Sequence, residues 1–197
     1  MDRRTLLQRI AGAAGASFVL GGSLAVEMAQ AADGRPAGAA LPEALRPALA
    51  ALADTIIPTT DTPGATAAGV PAFVAEMYQH WMSDAERVRF TEGLQALDAD
   101  SLRRFGLAFD KATPTQQTEA FGALREAIKT YRPAGGFGLG ARLTDPAAPF
   151  FHKVRDLVTV GYYTSEVGIN AELAYVRAPG RFDGDVDVKT WNKQMQL

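Results

Sequence analysis

The chain has 197 residues, 47% hydrophobic and 21% charged, a composition that fits one globular domain plus a leader and excludes a disordered chain. Its formal net charge of -2 gives no general attraction to nucleic acid or anionic lipid. It has no cysteine, which rules out disulfides, thiol catalysis, thiolate zinc sites and thioether haem attachment.

The first thirty-odd residues read as a leader. Arg3 and Arg4 stand together ahead of Thr5, Leu6 and Leu7. An uncharged run from Ile10 to Val26 follows, weakened in hydrophobicity by Gly12, Gly15, Gly21 and Gly22. Ala29 and Ala31 supply the small residues read by a signal peptidase. The pattern is that of a twin-arginine (Tat) signal over residues 1–31, which sends folded cargo to the periplasm. Residues 32–41, rich in Ala, Gly and Pro, form a flexible link, and residues 42–197 the domain proper. No later stretch is apolar and long enough to span a bilayer.

Pro42 suits a first helical turn, and Leu45, Leu49, Leu52 and Ile56 recur at helical spacing until Pro58 stops the helix. Thr59 to Gly69 is a loop with Asp61, Pro63 and Gly64 as turn residues. A second helix starts near Val70-Pro71 and carries Phe73, Val74, Met77 and Trp81. Ser83 with Glu86 forms a capping box for a third, whose face is Phe90, Leu94 and Leu97. The register breaks at Asp98-Ala99-Asp100, which predicts a separate short helix carrying Leu102, Phe105 and Phe109. Thr113-Pro114 with Gln116 is a second capping box, followed by Phe121, Leu124, Ile128 and Tyr131.

Arg132 to Gly140 is a Gly-rich loop, and Asp145-Pro146 is expected to cap the last long helix. That helix is apolar around most of its circumference, with Phe150, Phe151, Val154, Leu157, Val158, Val160 and Tyr162, which places it in the centre. After Gly168 the chain is expected to turn irregular. No stretch alternates with period two, so the fold class is all-α: a small helical bundle with irregular loops and an irregular C-terminal tail.

Chemistry is sparse. His80 follows Glu76, and His152 precedes Asp156, each by one turn; these are read as two separate pairs on helix surfaces rather than one metal site. Gly136-Phe137-Gly138 mimics the start of a dinucleotide fingerprint but lacks the strand and the immediate helix that the motif requires. Ser165 is not in a nucleophile elbow. The acidic pairs Glu86/Glu92 and Asp98/Asp100 read as solvated faces and caps. Aromatic and Arg residues concentrate at Tyr162, Tyr163, Tyr175 and Arg177. They form either an aromatic core layer with a helix stop or a partner surface, and both hold if one tyrosine faces inward and its neighbour outward.

The leader, the block from Ala51 to Ala65 with Gly69-Val70-Pro71, Phe150-Phe151, the segment Gly161 to Gly168, Glu172 to Tyr175 and the Pro179-Gly180 turn together carry a resemblance. The chain resembles the gluconate 2-dehydrogenase subunit 3 family, the small (gamma) subunit of membrane-bound flavin sugar dehydrogenases. The resemblance implies a subunit without catalytic, cofactor-binding or metal residues of its own. It implies as partners a GMC-type flavoprotein large subunit holding FAD, a possible multihaem cytochrome c subunit carrying haem c, and the Tat translocase. The small subunit would escort the flavoprotein to the periplasm and support its maturation at the inner membrane. The surface expected to meet the partner comprises Asp61, Pro63, Phe150, Phe151, Tyr162, Tyr163, Glu166, Tyr175 and Arg177, with the Pro58 to Val70 loop ordered by binding. The other class of function is an autonomous periplasmic ligand-binding domain or enzyme, which would need a convergent polar cluster.

Overall fold

The computed structural model describes residues 38–128, 130–133 and 139–173. Among them are seven α-helices and no sheet: α1 Arg46–Ile56, α2 Val70–His80, α3 Asp84–Phe105, α4 Pro114–Ala127, α5 Leu139–Thr144, α6 Phe150–Tyr163 and α7 Glu166–Glu172. The all-α expectation holds. No described helix is long and apolar enough to cross a membrane.

Local chemistry sets most helix starts. Pro47 and Pro71 occupy the first turns of α1 and α2, where a missing N–H costs nothing. Ser83 and Glu86 make the reciprocal capping box that opens α3, and Thr113 and Gln116 make the one that opens α4. Gly69, at φ +75°, turns the chain into α2, and Gly106, at φ +71°, ends α3. Both sit in the left-handed region that favours glycine.

The core is built from Leu49, Leu52, Val70, Val74, Phe90, Leu94, Leu97, Phe109, Val154, Leu157, Val158 and Tyr162, all buried. Helix α6 lies in the middle, as its apolar circumference predicts, and packs against α1, α2, α3, α4, α5 and α7. Gly93 of α3 and Gly161 of α6 bring helices close: a Cβ at Gly93 would meet the Phe150 ring at 2.2 Å, and one at Gly161 the Phe73 ring at 2.6 Å.

Four boundaries differ from the sequence reading. Helix α3 runs unbroken through Asp98-Ala99-Asp100 for 22 residues. Asp98 faces the chain that returns after the helix and accepts the Phe109 N–H at 2.8 Å, while Asp100 pairs with Arg103 and Arg104. Leu102 is consequently exposed rather than part of a new apolar face. Helix α5 forms where a loop is expected. Asp145 caps the turn before α6, accepting the Ala147 N–H at 2.8 Å, and α6 itself starts after Pro149. The chain past Gly168 stays helical to Glu172, because Ser165 accepts the Gly168 N–H at 3.0 Å and opens α7.

Candidate partner surface

The candidate site lies where the α1–α2 loop meets the ends of α6 and α7. The loop is built on itself. Asp54, in the last turns of α1, reaches over to accept the Thr66 N–H at 2.8 Å, and Thr59 accepts the Gly64 N–H at 3.0 Å. Ala65 donates to the Ile57 carbonyl at 3.0 Å and is itself fully buried. Gly64 is required by close approach, since a Cβ there would lie 2.6 Å from the Thr59 hydroxyl and 2.8 Å from its backbone nitrogen. The loop expected to be ordered by binding thus carries hydrogen bonds of its own within the chain.

Helices α6 and α7 hold the loop from the other side. Tyr162 donates its hydroxyl to the Pro63 carbonyl at 2.8 Å. The Glu172 carboxylate collects three hydroxyls: Thr62 at 3.2 Å and Tyr162 at 3.3 Å on one oxygen, and Tyr163 at 2.8 Å on the other. Burial, followed by the Glu172 charge and hydrogen bond, pushes the Tyr162 hydroxyl above its ordinary range. The Glu172 hydrogen bond does the same to Tyr163, with burial second. Both tyrosines thus remain neutral donors through the physiological range.

The expected surface residues separate into two groups. Pro58, Thr59, Thr60, Asp61, Pro63, Tyr163 and Glu166 are exposed, on the loop and at the junction of α6 and α7. Tyr162 is fully buried and belongs to the core, so its part in any surface is to hold Pro63 from beneath. Its neighbour Tyr163 turns outward and sets its ring edge-on to Tyr162 at 5.2 Å. Phe151 is also corrected to a core residue, stacked on Phe121 at 4.7 Å, and Phe150 packs edge-on against Phe90 at 5.3 Å. These rings are drawn inward because α6 is covered on nearly every side. Tyr175 and Arg177, like the leader residues Arg3, Arg4, Ala29 and Ala31, lie outside the described residues. Thr62, Asp54 and Glu172, which organise the surface, carried no local signal as site residues; their roles depend on contacts as distant as 110 positions.

An open groove of about 750 Å³ continues from the loop, between Pro58-Thr59 and the start of α4, lined by Asp54, Thr55, Thr115, Gln117, Thr118 and Glu119. The two histidines have different surroundings. His80 is buried with Nε2 3.4 Å from Glu76, whose side chain stays 30% exposed, so this pair joins the interior to the surface. The second pair does not form, because Asp156 is turned to Arg142 and Arg155. His152 leaves its buried Nδ1 without a hydrogen-bond partner, and burial, then Arg155, lowers its affinity for a proton. Among the described residues no three His, Asp or Glu side chains are grouped to hold a metal ion.

Ser165 is a helix cap, donating to the Tyr162 carbonyl at 2.7 Å. Gly136-Phe137-Gly138 lies outside the described residues. A helix does open after it at Leu139, but it is six residues long and no strand occupies residues 130–133. Glu86, read as part of a solvated face, is instead drawn inward by Lys153 at 2.8 Å.

The family model described as gluconate 2-dehydrogenase subunit 3 matches residues 44–180, from the turn before α1 to beyond α7. That span contains the whole of the surface just described, and the description names one component of a multi-subunit dehydrogenase. No curated protein and no solved structure matches the chain.

Proposed function

The chain belongs to the gluconate 2-dehydrogenase subunit 3 family, and we propose that it serves as the non-catalytic small subunit of a periplasmic FAD-dependent sugar dehydrogenase. In this reading it binds a GMC-type flavoprotein before export, carries it through the Tat translocase as folded cargo and supports its maturation. A multihaem cytochrome c subunit would take electrons from the flavin to the inner membrane. The observation that carries the reading is the family match over residues 44–180.

Two features support it. Arg3-Arg4 with a glycine-weakened apolar run addresses a route for folded proteins, which suits a partner whose cofactor is inserted before transport. The loop over residues 58–66 is held by its own hydrogen bonds, so a partner docking there would pay little ordering entropy. Deleting residues 1–31 while leaving the flavoprotein intact tests the reading. Dehydrogenase activity should be stranded in the cytoplasm or lost. A partner that still reaches the periplasm fully active would end the escort role.

A further inference from the structure

Helix α5 and the turn after it are attached to the bundle in an unusual way. None of the α5 side chains is buried, and of them Leu143 alone packs on the central core. The remaining ties are polar. Arg142 Nε lies 2.5 Å from Asp156 Oδ2. Lys153 Nζ donates to the Leu143 carbonyl at 2.6 Å and to the Asp145 carbonyl at 3.2 Å. The Tyr131 hydroxyl donates to Asp145 Oδ2 at 2.5 Å, and Arg89 donates to the Pro146 carbonyl.

Beneath this segment lie two charges that are almost wholly buried, Lys153 at 3% and Asp156 at 1% exposure. Each has a second partner outside the segment. Asp156 is also gripped by Arg155 of its own helix, at 2.7 and 2.9 Å. Lys153 is also paired with Glu86 of α3 at 2.8 Å and sits 5.1 Å from the Trp81 ring centre. This duplication matters because stripping a buried ion of its only partner is what makes such contacts costly to break. Here the segment can lift away and leave both ions paired, while water replaces the bonds it took with it.

We propose that residues 139–147 are a detachable strap, fastened by ionic and hydrogen-bond ties, which lifts and unwinds without unfolding the bundle, since a six-residue helix does not hold its turns once off it, and which uncovers Asp156 and, beside Trp81, Lys153. Ala148, buried at 3%, anchors its C-terminal end. Opening exposes little apolar surface, so it belongs to the low-energy, sub-global class of motions. The ties are partly open to solvent, with the Arg142 side chain 24% exposed, so salt weakens them.

Native-state hydrogen exchange on the full chain tests this. The readout is the amides of Asp145 and Ala147, bonded to Ala141 and to Asp145 Oδ1 respectively, against the core amides of Leu157 and Val158. The strap amides should exchange roughly 100-fold faster than the core amides and be insensitive to low denaturant. Raising NaCl from about 50 mM to about 1 M should speed them several-fold while leaving the core amides in place. Arg142→Gln should speed them about tenfold more, again without moving the core. Tyr131→Phe, which removes the bond to Asp145, carries the same expectation if Arg142→Gln does not fold. One common rate and denaturant dependence for strap and core, or a strap indifferent to both salt and substitution, overturns the proposal.

Discussion

Tyr162 and Glu172 sit on consecutive helices, and together they reach across to a loop about a hundred residues earlier in the chain. The Tyr162 hydroxyl holds the Pro63 carbonyl at 2.8 Å, and the Glu172 carboxylate accepts both Tyr162 and Thr62. The buried Tyr162 hydroxyl thus shares in shaping a surface on which it is not itself exposed.

Replacing Tyr162 with Phe keeps the ring but leaves the Pro63 carbonyl without its buried donor, and should cost about 1–3 kcal/mol in chemical denaturation. Tyr162→Ala empties a core position and should cost about 3–5 kcal/mol. Tyr163→Ala, at an exposed position, should cost under about 1 kcal/mol of fold stability yet weaken flavoprotein assembly in co-purification. The reverse ranking in denaturation would move Tyr163 into the core.

Gly168→Ala should be among the worst single-methyl changes in the chain. Its Cβ would lie 2.1 Å from the Tyr162 carbonyl oxygen, a backbone atom that moves only if α6 and α7 separate. The expected cost is about 1–3 kcal/mol, read as a lowered Tm. Gly122→Ala, in α4 with nothing near its Cβ, should instead stabilise by about 0.5–1 kcal/mol.

Stability should fall on both sides of neutrality. Burial, followed by the Arg155 charge, holds His152 below its ordinary 6.5. Its contribution is complete above 6.5 and is lost as pH falls through the lowered folded value. For Glu86 burial acts upward, but the Lys153 hydrogen bond and Ser83 outweigh it and hold the carboxyl below 4.5, so its contribution is present above 4.5 and lost further into acid. On the alkaline side, burial and then Asp145 push Tyr131 up to about 12 from 10.0. That contribution is complete below 10.0 and disappears as pH climbs towards 12. Tm measured against pH should therefore be flat around neutrality, and His152→Gln should shift the acid onset from near 6.5 towards the carboxyl range.

Export should require the arginine pair as a unit. Changing both Arg3 and Arg4 to Lys should leave precursor in the cytoplasm on fractionation. Normal periplasmic accumulation of that double variant removes the Tat route from the proposed function.

The sequence alone determined what depends on three or four neighbouring residues. The capping boxes at Ser83 and Thr113 and the apolar faces Leu49-Leu52 and Phe90-Leu94-Leu97 are written at helical spacing. The central place of α6 follows from its apolar circumference, and the family from residues spread along the chain. Tertiary structure alone decided whatever rests on partners far away in sequence. Asp98 looks like a helix breaker until Phe109 folds back to use it, and α3 then runs through. Asp156 reads as the surface partner of His152, but Arg142 and Arg155 allow it to be buried, and Lys153 is buried beside it against Glu86. The tyrosine pair divides into core and surface because Pro63 and Glu172 arrive from opposite ends of the domain to accept the hydroxyls. A polar group's place is set by the partner that satisfies it, and for Asp98, Lys153 and Tyr162 that partner lies beyond the neighbouring turn.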